Sequence, residues 1–217
     1  MYATISADIV SSTSLSGNDT IAFNKRVEEL FELLTAGYHS FWGRQVKGDY
    51  IECTVREVSE AFRIALIIKT AIKSFECESG DKEFHTYGVR MSIGIGGMRI
   101  VDKGLNLMDG EAIYLSGRAM EQKGSNNRGT LTIRINDEHL SSQLHTVGLL
   151  TDALINNATK KQCEVIYYKL QSMKETDIAA KIGIKQSSVN KHSTLAKWYC
   201  IEEAVKYFEQ IDFNGNG

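Results

Sequence analysis

The segment "VKGDYIECTV", residues 46–55, places a Gly-Asp pair at the start of an apolar run. The Lys47-Gly48-Asp49 sequence is typical of a tight turn between two antiparallel strands. We therefore predict a hairpin with strands over residues 41–46 and 50–55. An aspartate in such a turn is either a solvated turn residue or half of a metal site, depending on which other residues lie near it.

Working outward from this hairpin, strand and helix patterns alternate along the chain. The predicted elements are a strand over 1–10, a helix starting at Asp19 or Thr20 and reaching Tyr38, the two hairpin strands, a helix over 58–75, a strand over 85–100, a helix over 109–122 ended by 124–127, and a strand over 131–135. The order β-α-β-β-α-β, followed by one more helix and strand, is that of a ferredoxin-like sheet with helices on one face. We predict an α+β domain over residues 1–157.

The chain after Asn157 is patterned as helices alone and differs in charge from the rest. Residues 159–197 contain eight lysines against three acidic residues, a net +5 in a chain whose net charge is −2. We therefore predict a second, all-helical domain over residues 158–217. A basic segment on an acidic body indicates two parts with different partners.

Within this segment, "TDIAAKIGIKQSSVNKHSTLA", residues 176–196, has the spacing of a helix-turn-helix. Gly183 supplies the turn, Ala179 allows the helices to cross closely, and four residues form a small core (Ile178, Ile182, Ile184 and Val189). We predict that the second helix contacts double-stranded DNA through Lys185, Gln186, Ser187, Ser188, Asn190 and Lys191. The alternative is a helical cap whose lysines are merely solvated.

Asp8 ends the first predicted strand, and Asp49 lies in the turn before the third. Because these strands are neighbours in the expected sheet, both carboxylates should reach the same edge. Hard oxygen ligands with open positions suit Mg²⁺ or Mn²⁺ carrying a nucleoside triphosphate or another phosphate ligand. We predict a metal site at Asp8, Ile9 and Asp49, with main chain from Ile9 to Ser12 around the phosphates and Arg118 as a catalytic clamp. The alternative is a pair of solvated acids.

Four segments resemble the core blocks of class III nucleotidyl cyclases: "ADIVSSTSLS", "GDYIECTV", "VRMSIGIG" and "GEAIYLSGRAME". The resemblance implies a nucleotidyl-cyclase-like fold in which Asp8 and Asp49 hold two metals and Arg118 stabilises the transition state. It also implies a homodimer, since such cyclases build their sites across a head-to-tail dimer. The nucleotide-binding positions of the family fall on Gln45 and Tyr114, and its base-reading aspartate falls on Leu107. These residue types depart from the family, so the resemblance implies metal binding without the usual base contacts.

The chain is also identified as a member of the SatD-like family of bacterial DNA-binding regulators. The matching motifs are Ala7-Asp8-Ile9, Gly48-Asp49, "RMSIGIG", "DGEAIYLSGR" and "AKWYCIEEA", in that order. The resemblance covers essentially the whole chain and implies transcriptional regulation.

Composition excludes several other classes of protein. No segment has the roughly 18 uncharged apolar residues of a membrane helix, and no signal sequence is present, so we expect a cytoplasmic protein without a membrane partner. The four cysteines form no CxxC pair and are expected to be reduced thiols. The "GIGG" at 94–97 lacks the third glycine of a dinucleotide loop, so no organic cofactor is expected.

Three functions remain open: a DNA-binding regulator, a metal-dependent nucleotide enzyme such as a cyclase, and a cyclase-like fold retained only for dimerisation.

Overall fold

The computed structural model describes residues 1–46, 48–102, 104, 107–121 and 129–213. These residues form a mixed α+β structure with a five-stranded sheet, a two-stranded sheet and nine α-helices. The strands are β1 (Tyr2–Ile9), β2 (Phe41–Val46), β3 (Tyr50–Val55), β4 (Val89–Gly96), β5 (Met98–Asp102), β6 (Leu107–Gly110) and β7 (Leu131–Ile135). The helices are α1 (Gly17–Gly37), α2 (Ala61–Lys73), α3 (Lys82–Tyr87), α4 (Glu111–Glu121), α5 (Glu138–Asn157), α6 (Lys160–Leu170), α7 (Glu175–Ile182), α8 (Gln186–Leu195) and α9 (Trp198–Glu209).

The large sheet has the strand order β2-β3-β1-β4-β7, with β1 at its centre. Its neighbouring strands are antiparallel except β4 and β7, which are parallel. In this register Asp8 of β1 lies opposite Tyr50 of β3 and Arg90 of β4. The predicted hairpin of β2 and β3 is confirmed, although Lys47 of its turn lies outside the described residues.

The two faces of β1 carry different side chains and therefore different helices. Ala3, Ile5, Ala7 and Ile9 enter the main core together with buried residues of α1 and α2. On the other face, the Thr4 hydroxyl donates to the Ala112 carbonyl of α4 at 2.7 Å and hydrogen-bonds the Ser116 hydroxyl at 2.9 Å. A Cβ on Gly94 would lie only 2.2 Å from that Ala112 oxygen, so only glycine allows this approach. The expectation of helices on one face is therefore wrong.

The segment predicted as one strand over 85–100 contains three elements. Asp81 caps α3, since its carboxylate accepts from the Phe84 amide at 2.9 Å, and Gly88 ends this helix at φ 65°. β4 begins only after that turn, and β5 begins after Gly97. The helix predicted over 109–122 begins at Glu111, because residues 107–110 pair with β5 as β6. The glycine- and asparagine-rich stretch 124–127, expected to end it, lies outside the described residues.

Four helices follow Asn157, as the helical pattern of residues 158–217 predicts, and two of them join the main core. α6 contributes Cys163, Ile166, Tyr167 and Leu170, and α9 contributes Ile201, Val205 and Phe208. The main core therefore continues across the predicted domain boundary after Asn157. The Arg63 guanidinium of α2 adds a polar link, since its Nε donates to Glu209 Oε1 at 2.6 Å and its Nη1 donates to the Leu170 carbonyl at 2.9 Å.

A buried ion pair joins α2 to α5 beneath the start of β7. Lys69 Nζ lies 3.0 Å from Asp152 Oδ1, and both side chains are at most 1% exposed. Thr130 completes the cluster: its amide donates to Asp152 at 2.6 Å, and its hydroxyl accepts from Lys69 at 2.8 Å. Nearby, Lys73 donates to the carbonyls of Thr86 and Ile155, at the ends of α3 and α5. These two lysines hold three helices together.

Candidate functional sites

The connection between α7 and α8 depends on one glycine. Gly183 follows α7 in the left-handed conformation, at φ 69° and ψ 34°, which costs a glycine little because it has no Cβ. The Ile184 amide then donates back to the Ala179 carbonyl at 3.0 Å, and α8 begins at Gln186. The predicted turn at Gly183 is confirmed.

The helix pair packs on a small core of its own. Val165 of α6 forms a second buried cluster with Ile178, Ala179 and Val189, while Ile182 and Ile184 pack against it from the side. The four predicted core residues thus meet as the spacing indicated, and Ala179 belongs to the same cluster. The cluster is separate from the main core, although Tyr168 packs against both. The orientation of α8 is therefore fixed through α6 and α7.

The predicted DNA-contacting residues lie on the outer side of α8 and at its beginning. Five of them are exposed (Lys185, Gln186, Ser187, Asn190 and Lys191), whereas Ser188 is half-buried. Within the described residues, the ammonium groups of Lys185 and Lys191 form no ion pair. By contrast, Lys161 lies 2.7 Å from Glu164. The positive charge at the start of α8 is therefore not neutralised by neighbouring carboxylates.

The two aspartates predicted to form a metal site come from adjacent points of the main chain. The Ile9 amide donates to the Asp49 carbonyl at 2.9 Å, so the turn of the hairpin lies directly beside the end of β1. The Val10 amide donates to the Gly88 carbonyl at 3.0 Å. The amides of Ile9 and Val10 therefore already donate hydrogen bonds within the protein. In the predicted phosphate-binding segment 9–12, only the amides of Ser11 and Ser12 have no backbone acceptor among the described residues.

Several negative charges act on Tyr50, the residue that follows Asp49. Burial raises the pKa of Tyr50, and the carboxylates of Glu52, Asp8 and Glu121 raise this pKa further, against a hydrogen bond with Ser6. Asp8 of β1 and Glu121 at the end of α4 therefore both lie near enough to Tyr50 to act on its phenol. Among the residues that the structure describes, no group of three or more His, Cys, Asp or Glu side chains has the geometry to hold a metal ion.

Gln45 lies on the other side of the sheet from Asp8. It is opposite Ile51, which is fully buried in the main core, and its amide nitrogen donates to Asn24 Oδ1 of α1 at 2.9 Å. The same nitrogen donates to the Gly48 carbonyl. Gln45 therefore ties the hairpin turn to α1, and its assignment to a nucleotide site stays a prediction.

The remaining residues assigned by resemblance lie on or before α4. Tyr114 is 54% exposed, and its hydroxyl donates to Asp109 Oδ1 at 2.8 Å. Leu107 is 50% exposed on β6. Arg118 is exposed near the end of α4, and within the described part of the chain no hydrogen bond or ion pair joins it to Asp49. The structure thus brings together the main chains at Asp8 and Asp49. The role of Arg118 as a clamp stays a prediction.

Two residues near these sites were missed in the sequence. Asn24 positions Gln45 and so the hairpin turn, but a single polar residue on an otherwise amphipathic helix gives no such signal. Arg26, two positions further, lies over the ring of Tyr167, with its Cζ atom 5.1 Å from the ring centroid. That contact joins α1 to α6, which the sequence pattern assigned to separate domains.

Comparison with known proteins gives little further information. No known protein family matches the chain, and no curated protein matches it. Two solved structures of a bacterial light-regulated adenylyl cyclase are each similar to 61% of the chain. One is 17% identical with a TM-score of 0.40 over 74% of its own length, and the other is 16% identical with a TM-score of 0.39 over 42%. Similarity at this level establishes neither a shared activity nor a shared ligand.

Across the described residues, none of the helices combines the length and the apolar character needed to span a bilayer.

All four cysteines are unpaired thiols: Cys53 and Cys163 are buried, and Cys77 and Cys200 are half-buried. Burial raises the pKa of Cys163 to about 11, so this thiol is a poor nucleophile near neutral pH.

Proposed function

We propose that the protein is a DNA-binding transcriptional regulator in which α7 and α8 form a helix-turn-helix, with α8 as the recognition helix. One observation carries the proposal: a helix pair with its own core exposes a row of basic and polar side chains at the start of its second helix, and the lysines of this row have no carboxylate partner among the described residues. In proteins with this motif, the first residues of the second helix enter the major groove. Residues 158–217 are the DNA-binding part in this proposal.

The exposed side chains divide into two groups by their chemistry. Lys185 and Lys191 suit phosphate oxygens, where each contact strengthens binding without reading sequence. Gln186, Ser187 and Asn190 carry the amide and hydroxyl groups that pair with base edges. Ser188 is half-buried, so its hydroxyl is less accessible to DNA.

We further propose a supporting role for the sheet part, residues 1–157. Its strand order and antiparallel pairing from β2 to β4 fit a ferredoxin-like sheet of the nucleotidyl-cyclase-like kind, extended by β7. In the proposal, Asp8, Ile9 and Asp49 form a site that binds Mg²⁺ or Mn²⁺ together with a nucleotide or phosphate. The alternative role of this part is homodimerisation. Membership of the SatD-like family and a cytoplasmic location belong to the same proposal.

The proposal is tested by charge reversal on α8. We expect Lys185→Glu with Lys191→Glu to abolish binding of a fluorescent duplex of about 30 base pairs, roughly three helical turns, taken from the DNA upstream of the protein's own gene. Fluorescence anisotropy gives the dissociation constant, and thermal unfolding verifies that the variant is folded.

A matched control separates local contact from total charge. Lys25→Glu with Lys82→Glu changes the net charge equally but lies on α1 and α3 of the sheet part, where both lysines are exposed. This control should bind nearly as the parent does. Equal loss in both variants would indicate attraction by net charge alone and would overturn the proposal.

A metal-dependent nucleotide enzyme is the second candidate. The bond between the Ile9 amide and the Asp49 carbonyl favours it, because it holds two potential metal ligands at one edge of the sheet. Incubation with each nucleoside triphosphate and Mn²⁺ should then give a product in the parent but not in Asp49→Asn. If neither protein forms product, and nucleotide with Mn²⁺ leaves the thermal stability of both unchanged, the candidate fails.

A further inference from the structure

A row in which two cations flank two aromatic rings runs from the sheet part to the helix pair. Arg26 of α1 lies over the ring of Tyr167, 5.1 Å from its centroid, and Lys181 of α7 lies over the ring of Tyr168, 5.6 Å from its centroid. The two tyrosines are consecutive on α6, and their ring centroids are 4.9 Å apart in an edge-to-face arrangement. We call these four residues the cation–tyrosine row.

Both cations in the row keep their charge available to a ligand. Among the described residues neither forms an ion pair with a carboxylate, whereas their neighbours Lys25 and Lys161 lie 3.9 Å and 2.7 Å from Glu29 and Glu164. A ring face attracts a cation but does not neutralise it. An arginine stacked in this way also keeps its N–H groups at the rim of the guanidinium plane, where they can donate to phosphate oxygens.

The row borders the helix pair that the proposed function assigns to DNA. Tyr168 packs against the small core of Val165, Ile178, Ala179 and Val189, to which α7 and α8 both contribute. The charge of Arg26 also acts at this ring, since it opposes the burial that raises the pKa of Tyr168. Arg26 therefore places a positive charge of the sheet part against α6, on which the helix pair packs.

We propose that Arg26 and Lys181 form a second phosphate-binding patch beside the recognition helix, so that double-stranded DNA is held by α1 of the sheet part as well as by α7 and α8. The inference rests on the proposed function. In helix-turn-helix proteins the first helix of the pair crosses the DNA backbone. Lys181 lies on α7, the first helix of this pair. In the proposal, Arg26 adds a second phosphate contact on the other side of α6.

The salt dependence of DNA binding measures such contacts directly. For a mixed-sequence duplex of about 30 base pairs, Arg26→Gln should reduce the slope of log Kobs against log salt by about 0.9, the value for one lost phosphate contact. Lys181→Gln should have the same effect. Lys25→Gln, on the preceding residue of α1, should leave the slope unchanged, and Arg26→Lys should preserve most of it because the charge remains.

The outcomes distinguish this inference from the proposed function. If the parent shows salt-dependent binding that is lost in Lys185→Glu with Lys191→Glu, yet Arg26→Gln and Lys181→Gln keep the parent slope, the patch does not exist and the helix-turn-helix proposal stands. If the parent shows no salt-dependent binding, both fail. Should Arg26→Gln lower the unfolding midpoint, the slope is measured on Lys181→Gln alone. An unchanged slope in Lys181→Gln then overturns the patch.

Discussion

At the scale of single residues, substitution of the buried ion pair between Lys69 and Asp152 tests the packing of α2 against α5. Lys69→Met would leave the Asp152 carboxylate buried, with Thr130 as its one remaining partner among the described residues. Breaking a buried pair by removing one partner costs about 3–5 kcal/mol. Urea unfolding at pH 7 should show a loss of stability of this order.

A second substitution should restore most of that loss. Asp152→Asn added to Lys69→Met removes the unpaired charge but keeps an oxygen that accepts from the Thr130 amide. A single Lys69→Met variant as stable as the parent would show that the pair is not buried as described.

The environment of Lys73 predicts a dependence of stability on pH. Burial lowers the pKa of Lys73 from an ordinary 10.5 to about 8. Between these values the unfolded chain binds more protons at this residue than the folded chain, so its contribution to stability rises with pH. The stability of the parent relative to Lys73→Met should therefore increase from pH 8 to pH 10, as measured by urea unfolding of both proteins. A difference that stays flat or falls over this interval would contradict the burial of the ammonium group.

The acidic residues show what a sequence can and cannot predict at this scale. The proximity of Asp8 and Asp49 follows from a Gly-Asp turn and a strand order, both of which are visible in the sequence. The orientation of Gln45 toward Asn24 depends on which face of β2 is buried, and the short segment "FWGRQV" does not alternate clearly enough to decide it.

At the scale of elements, the contact between α4 and β4 depends on Gly94. A Cβ at this position would lie 2.2 Å from the Ala112 oxygen and 2.4 Å from the Ser116 nitrogen, both main-chain atoms that cannot move aside. Gly94→Ala should therefore displace α4 and lower the thermal unfolding midpoint strongly.

Gly117, on the same helix, provides the matched control. An added Cβ there meets no atom within 4 Å, and alanine favours a helix over glycine by about 1 kcal/mol. Gly117→Ala should leave the protein as stable as the parent or slightly more so. Equal midpoints for both variants would show that α4 does not rest on β4.

The elements also show where sequence patterns mislead. Four strands of the large sheet (β1, β2, β3 and β7) lie within the segments predicted as strands, whereas β4 is only part of the single strand predicted over 85–100. α3 has only six residues, too few for a helical period, and its signal was the Asp81 cap alone. The helix over 109–122 was predicted, but its packing on the second face of the sheet was not, because the small hydroxyl residues Thr4, Ser6 and Ser92 were not recognised as a packing surface.

At the scale of the whole molecule, the main core includes residues from both predicted domains. A chain ending at Asn157 would expose the buried face of α2 that otherwise packs against α6 and α9. We expect the full chain to unfold in one urea transition, and the shortened chain to be aggregated or unfolded, because apolar surface of this kind is the main source of stability. A shortened chain with a cooperative transition of its own would show instead that residues 1–157 form an independent domain.

Charge is distributed unevenly across the same molecule. The segment 159–197 is basic in a chain of net charge −2, and five of its lysines have no carboxylate partner among the described residues (Lys174, Lys181, Lys185, Lys191 and Lys197). The sequence predicted this imbalance, but not that the paired lysines lie on α6, near the sheet part, and the unpaired ones on α7, α8 and their flanks. Positive potential therefore concentrates on the helix pair.

Lysine footprinting tests the central claim, that DNA binds at α8, most directly. The full chain is acetylated with and without the upstream duplex, and the modification of each lysine is followed by mass spectrometry. DNA should protect Lys185 and Lys191, while Lys25 and Lys82 react as before. Equal protection of all four lysines, or protection confined to Lys25 and Lys82, would contradict it.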